Sequence, residues 1–302
     1  MERTIQFGLN LDPVVDRPAE TQALAELADS AGLALVAMQD HAYNARFAET
    51  WTALTAVALR TQRVHVLTNV ATLALRHPAM LAKAAATLDR LTGGRVELGV
   101  GSGGFWDGIA AMGGPRWSAA EAVAAIEDAL RLCRLLWEKA ETGEAVTYTG
   151  RMFRVDGLQF GPAPAHPIPL WVGVTRPRAL RIAGALGDGI TISTPYVLPE
   201  QLADVNRLVD DGARAAGRDP RAIRRLYNLL GVLDVPGQRP LRVNRPGFLG
   251  GSAEDWAEAI ARFADQGMDT FVFWPVAGDY VAQARRFVAD VIPRVRTLLG
   301  LS

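Results

Sequence analysis

Asp40 and His41 stand side by side at the end of an apolar run, ALVAMQDH, and bring a carboxyl and an imidazole to one strand end. His41 can donate a hydrogen bond to a bound ligand or move a proton near neutral pH; the same pair can also cap a neighbouring loop. A second group follows the run RVELGV, where Gly101, Ser102, Gly103 and Gly104 offer backbone N–H groups that a flat ring or a phosphate can approach without Cβ obstruction. Trp106 and Asp107 come next, and Asp107 is the second candidate catalytic group. The glycine spacing completes neither the dinucleotide fingerprint nor the Walker pattern, and a plain tight turn would read the same way. In a third group, LWVGVTRPRAL, the residues Gly173, Val174, Thr175 and Arg176 lead into a helix start, where free N–H groups and the helix dipole favour an anion.

These groups need a scaffold that gathers strand ends. Eight β-prone runs, at residues 5–11, 33–39, 64–72, 95–100, 170–174, 190–194, 225–233 and 270–274, alternate with helical patterns. Ser118 with Glu121 and Ser252 with Asp255 have the spacing of capping boxes ahead of apolar helices. Pro78 suits a first helical turn, and Gly93 and Gly94 stop that helix before the fourth strand. Eight βα units predict an α/β fold closed into a parallel (β/α)8 barrel, with an open doubly wound sheet as the alternative. In either, chemistry belongs at the C-terminal ends of the strands. Residues 146–160, VTYTGRMFRVDGLQF, read as a small hairpin inserted between strands 4 and 5. Residues 235–251 lack periodicity and carry Arg239, Arg242 and Arg245; they are expected to form a mobile cover at the barrel mouth.

Composition narrows the partners. Formal net charge is +0 and hydrophobic residues make up 49%, which supports a sizeable core and argues against nucleic acid. A small organic ligand is expected. His65, His77 and His166 are not spaced as metal ligands, so no metal site is expected. Cys133 is the sole cysteine and falls on an apolar helix face, which excludes an intrachain disulfide and suits a reducing cytoplasm. No stretch reads as a signal peptide or a membrane span. The expectation is one domain over residues 1–302, cytoplasmic and without a membrane partner.

Taken together, the pair Asp40 and His41, the block RHPAMLAKAAATLDRLTGGRVELGVGSG and the turn LWVGVT resemble the bacterial luciferase-like superfamily of flavin and deazaflavin oxidoreductases. The resemblance runs from Ile5 to about Leu299 and implies a (β/α)8 TIM barrel, a homodimer, and FMN or the 8-hydroxy-5-deazaflavin coenzyme F420 bound at the C-terminal mouth. It places Asp40, His41, Asn69, Val70, Ser102 and Gly103 around the ring, with Gly104 and Trp106 beside them. Gly173, Val174, Thr175 and Arg176 would hold the phosphate, with Arg178 and the 235–251 arginines along an anionic tail. It also implies a non-proline cis peptide between Asn69 and Val70. Family members that oxidise glucose 6-phosphate have an acidic residue at the place of Gly104, so the resemblance implies another substrate, and Phe105, Trp106 and Asp107, which fill that loop here, point to an apolar or aromatic one. Its first reading is an F420-dependent oxidoreductase in which His41 handles a proton or orients the polar group. An FMN-dependent monooxygenase is the alternative, and a flavin-binding protein without turnover is a third.

Overall fold

Eight of the apolar runs pair side by side, all parallel, in the computed structural model, which describes residues 4–301. They are β1 (Gln6–Asn10), β2 (Leu35–Met38), β3 (His65–Thr68), β4 (Val96–Gly101), β5 (Leu170–Gly173), β6 (Gly189–Ser193), β7 (Arg224–Leu233) and β8 (Thr270–Pro275). Each strand hydrogen-bonds to the next in chain order, and β8 returns to β1 with Phe271 opposite Phe7. That last pairing closes the sheet and excludes the open doubly wound alternative. The fold is a (β/α)8 TIM barrel.

Closure separates two cores. Helix faces cover the outside of the strands, as where Leu81, Ala85 and Leu88 of the helix Pro78–Thr92 are buried at helical spacing. Inside, Leu35, Ala37, Leu67, Trp171, Leu226 and Val272 form a separate buried cluster, since alternate residues of a strand face opposite sides of the sheet. Below them Glu97 accepts from the Trp171 indole at 2.5 Å and meets His65 at 3.1 Å, closing the barrel floor. The cavity lined by the loops after the strands lies toward their C-terminal ends.

Local signals hold where the chemistry is short-range. Both capping boxes form, starting the helices Ala119–Thr142 and Ala253–Asp265. The hairpin pairs Val146–Thr149 with Arg154–Leu158 in antiparallel register. It is pinned by the buried carboxylate of Asp128, which accepts from the Tyr148 hydroxyl at 3.0 Å and from the Met152 and Phe153 N–H groups at 2.6 and 3.1 Å. Cys133 is buried, and burial pushes its thiol up to about 12, so it is an inert core residue. Among the described residues no helix is long and apolar enough to cross a membrane, and no group of three metal-ligating side chains occurs.

Two expectations need correction. The third run, 64–72, is not one strand: β3 ends at Thr68, the Asn69–Val70 peptide is cis, and Ala71–Thr72 resume pairing against Val100 and Gly101. Residues 235–251 are not an unpaired loop along their whole length. Their last residues, Leu249–Gly251, add a short parallel strand to the end of β7, and this pairing draws the segment along the rim. Arg242 is engaged by Asp234 at 2.6 Å, and Arg245 lies over the Phe248 ring at 5.3 Å.

Candidate active site

Strand ends β3 to β7 surround a cavity of about 950 Å³, near the upper end of the roughly 300–1,000 Å³ typical of small-molecule sites. Asn69 and Val70 enter it from the break after β3, and Ser102, Gly103, Gly104 and Trp106 from the loop after β4. Gly173, Val174, Thr175 and Arg176 enter after β5. All of these were singled out from sequence, and the barrel brings them to one opening.

Val70 sets the shape of one wall. A Cβ built on Gly101 would lie 2.7 Å from a Val70 methyl, and one on Gly173 would lie 2.8 Å from the same atom. These two glycines therefore allow the close approach of the Val70 side chain. At Gly104 an added Cβ meets nothing within 4 Å, so this position alone of the glycine loop opens into free space. With Val123, Ile126, Val174 and Ile192, Val70 gives the cavity apolar sides suited to a flat ring.

The floor is polar and fully paired. Asn69 Nδ2 donates to Asn228 Oδ1 at 2.7 Å, Thr191 Oγ1 donates to Asn69 Oδ1 at 2.7 Å, and Asn228 Nδ2 donates to Thr191 Oγ1 at 3.0 Å. Such a closed set fixes amide orientation and presents its remaining donor and acceptor capacity to a ligand. Sequence reasoning missed Thr191, Ser193, Tyr196 and Asn228, all of which line the cavity. The available signal was Asn228 itself, a polar residue buried within the apolar run YNLLGVL.

At the far end the helix Pro177–Leu186 begins at the cavity wall. Its N-cap residue Arg176 gives no side-chain cap, and Pro177 lacks an N–H, so the first-turn N–H groups of Arg178 and Ala179 have no intrahelical partner. Both residues line the cavity, as do Thr175 and Arg176. Among the described residues neither Arg176 nor Arg178 is paired with a carboxylate. An uncapped helix start, a hydroxyl and two unpaired guanidiniums make a donor set for phosphate. Flat apolar walls, a polar floor and this anion end fit a flavin-like group. The 235–251 arginines contribute nothing to the lining.

The mouth differs most from expectation. Asp40 does not reach the cavity: its carboxylate is buried, accepting from Arg76 Nε at 2.7 Å, Arg76 Nη2 at 2.9 Å and the Thr72 N–H at 3.0 Å. It ties the end of β2 to the resumed third strand. Asp107 is likewise displaced. It lies in the first turn of the short helix Trp106–Ala111 with its side chain 95% exposed and paired to Arg116 at 2.5 Å, so it touches nothing in the cavity. Trp106 does line the cavity, edge-on to Trp117 at 6.4 Å. His41 is absent from the lining and stands at the rim, where its Nδ1 meets the Tyr43 hydroxyl at 2.7 Å and its ring is edge-on to Phe105 at 5.8 Å. Burial pushes its pKa below the ordinary 6.5, against the opposing field of Asp40 and Asp12.

Relatives share this architecture. The chain is 32% identical over 251 residues to an F420-dependent glucose-6-phosphate dehydrogenase of Nakamurella multipartita, an alignment covering 80% of this chain and 71% of that one. Superposition on an F420-dependent secondary alcohol dehydrogenase, solved with an F420-acetone adduct, gives a TM-score of 0.84 at 24% identity, covering 97% and 99% of the two chains. A monooxygenase from Streptomyces bottropensis gives 0.81 at 24% identity, covering 96% and 99%. At such identities the superpositions speak for the fold alone. The model of the luciferase-like monooxygenase family matches residues 4–234, most of the barrel and every strand end that builds the cavity. The chain belongs to the luciferase-like monooxygenase family.

Proposed function

We propose that the protein is a coenzyme F420-dependent oxidoreductase that moves a hydride between the deazaflavin and a neutral, apolar or aromatic organic substrate. The observation that carries this reading is the single cavity running from an uncapped helix start, with Arg176 and Arg178 unpaired beside it, to an open aromatic mouth at Gly104 and Trp106. The Arg178 guanidinium, beyond the phosphate turn that Arg176 closes, suits the longer anionic tail of the deazaflavin better than the single phosphate of FMN. The names of the sequence relatives support the same cofactor.

When bound, the deazaflavin supplies hydride chemistry at a carbon that takes the place of the flavin's reactive nitrogen and reacts sluggishly with oxygen. The chain's residues do the rest. Gly173 to Arg176 and the Arg178 and Ala179 N–H groups would hold the phosphate; Asn69, Thr191 and Asn228 would meet the polar edge of the ring, and Val70 its face. Ser102, Gly103, Gly104 and Trp106 would border the substrate side. His41, neutral near pH 7, takes the proton of a substrate hydroxyl at one ring nitrogen, or returns it in the reverse direction.

A substrate phosphate would need a second cationic site at the mouth. Arg116, which follows the short helix Trp106–Ala111 at the mouth, is occupied by Asp107. With Gly104 in place of an acid, this favours a neutral substrate. The same reading includes a homodimer, for which the adjacent helices Thr50–Arg60 and Pro78–Thr92 expose Leu59, Met80 and Leu91. Anaerobic mixing of the protein and oxidised F420 with 1-phenylethanol or with glucose 6-phosphate tests the substrate class. The deazaflavin absorbance is expected to fall with the aryl alcohol only; a fall with the sugar phosphate only contradicts it.

A further inference from the structure

The cavity takes up the ends of β3 to β7, and the remaining side of the mouth, at the ends of β1, β2 and β8, holds a carboxylate that the reaction described above does not use. Along β1, Phe7 and Leu9 pack outward against the helices, so Gly8 and Asn10 face the barrel interior, and Asp12 follows on that side. The contacts agree. Asn10 Nδ2 donates at 3.2 Å to Oε1 of Gln39, which continues the inward row of Leu35 and Ala37. Asp12 Oδ1 accepts from Gln39 Nε2 at 2.7 Å and from Asn10 Nδ2 at 3.0 Å, with the Trp274 indole beside the carboxylate. Asn10 and Gln39 are buried, whereas Asp12 is half-buried, so its carboxylate is the outer member of the group. The loops after β1 and β2 are joined here, the Val15 N–H donating to the Arg46 carbonyl at 3.0 Å and the Ala48 N–H to the Pro13 carbonyl at 2.7 Å. The second of these loops carries His41, two residues beyond Gln39, so Asp12 and His41 stand on one rim.

We infer that Asp12 is a specificity-determining residue that accepts a hydrogen bond from a second donor of the substrate, an O–H or N–H separate from the carbinol it oxidises. The inference rests on the hydride-transfer reading and narrows its substrate to aromatic compounds bearing such a donor. A carboxylate has about four lone-pair sites. The two amides take two of them, both at Oδ1, and the Trp274 indole at most one more, so acceptor capacity is left over. Among the described residues no cation pairs with this carboxylate: Arg17, whose field reaches it, is paired with Glu20 at 3.0 Å and lies over the Tyr280 ring at 5.1 Å. A half-buried charge held by neutral donors alone is under-compensated, and burial accordingly pushes the Asp12 carboxyl up from its ordinary range. A ligand donor offsets that cost. The carbinol O–H carries one proton, which goes to His41, so the proton that Asp12 accepts belongs to another group. A substrate lacking it would desolvate the carboxylate and give nothing back, and this is how a site built for a hydrogen bond rejects an analogue without one.

Calorimetric binding of meta- and para-hydroxyacetophenone, each against its methyl ether, to the protein in the presence of F420 tests this without turnover. In the wild type at least one hydroxy compound is expected to bind about 10-fold or more tightly than its ether, the scale of a hydrogen bond to a charged group. In Asp12→Asn, which puts N–H groups in place of free acceptor sites, and in Asp12→Ala, which removes them, that ratio should fall to within about 3-fold. Equal binding of hydroxy and methoxy compounds at both positions, no binding of the hydroxy compounds, or a preference that survives both substitutions overturns the inference. The corresponding hydroxyphenyl ethanols, mixed anaerobically with the protein and oxidised F420, read the other claim. If they leave F420 oxidised while the hydroxy preference is present in the wild type and lost in the variants, the hydride-transfer reading fails and Asp12 remains a binding group.

Discussion

His41→Ala is expected to slow hydride transfer by about 100-fold or more while F420 affinity stays within a factor of about two, because a positioned acid or base contributes on that scale and the phosphate end is untouched. The geometry separates the two effects. His41 stands at the rim, outside the residues that line the cavity, whereas Thr175, Arg176 and the start of the helix Pro177–Leu186 form its far end. The pH profile carries a sign. Burial lowers the His41 pKa below 6.5, so the ring is the neutral base at pH 7, and oxidation falls only as pH drops through that lowered value. The acidic limb of wild-type single turnover therefore lies below pH 6.5, and the histidine variant lacks it. Single-turnover rates against pH check both statements; an acidic limb shared by wild type and variant would assign it to another group.

Asp40→Ala is expected to cost about 3–5 kcal/mol of unfolding free energy, the usual scale for removing one partner of a buried pair. The Asp40 side chain is 1% exposed and holds the guanidinium of Arg76, whose side chain is 20% exposed. Without Asp40, Arg76 keeps only Glu49, whose carboxylate also caps the helix Thr50–Arg60 by accepting from the Trp51 and Thr52 N–H groups. The Thr72 N–H loses its acceptor as well, and Thr72 lies two residues past Val70, whose side chain builds the cavity wall. Stability and cofactor affinity should fall together. Urea titration with and without F420 measures both, and a stability loss below about 1 kcal/mol, typical of an exposed pair, would show that solvent already screens this one.

How much of this was legible in sequence follows from range. The eight strands were readable because each is a short apolar, β-prone run bounded by breakers, and the capping boxes because the Ser118 and Ser252 hydroxyls bond within three residues. The cavity glycines, Asn69, Val70 and the phosphate turn were readable as motifs at strand ends. The polar floor was not, since Asn69 and Asn228 are 159 residues apart and meet only when the barrel closes. Asp107 was misplaced because one helical turn decides whether a loop side chain faces the mouth or solvent, and the turn at Trp106 sends it outward. Asp40 looked like a ligand group because its partner, Arg76, lies 36 residues away with no sequence signature to join them. The 235–251 segment looked like one long loop because nothing local announces that Leu249–Gly251 pairs with β7.

The central claim is the cofactor, and a side-by-side titration of the purified protein with coenzyme F420 and with FMN tests it most directly. Tighter binding of F420 is expected, because its tail would extend past the phosphate turn to Arg178. Its affinity should weaken more steeply than that of FMN as salt rises from about 0.01 to 1 M, over which the screening length falls from about 30 to 3 Å. Tighter binding of FMN, with reduced FMN supporting oxygen-dependent oxidation of an organic substrate, would contradict the account and make the protein a monooxygenase.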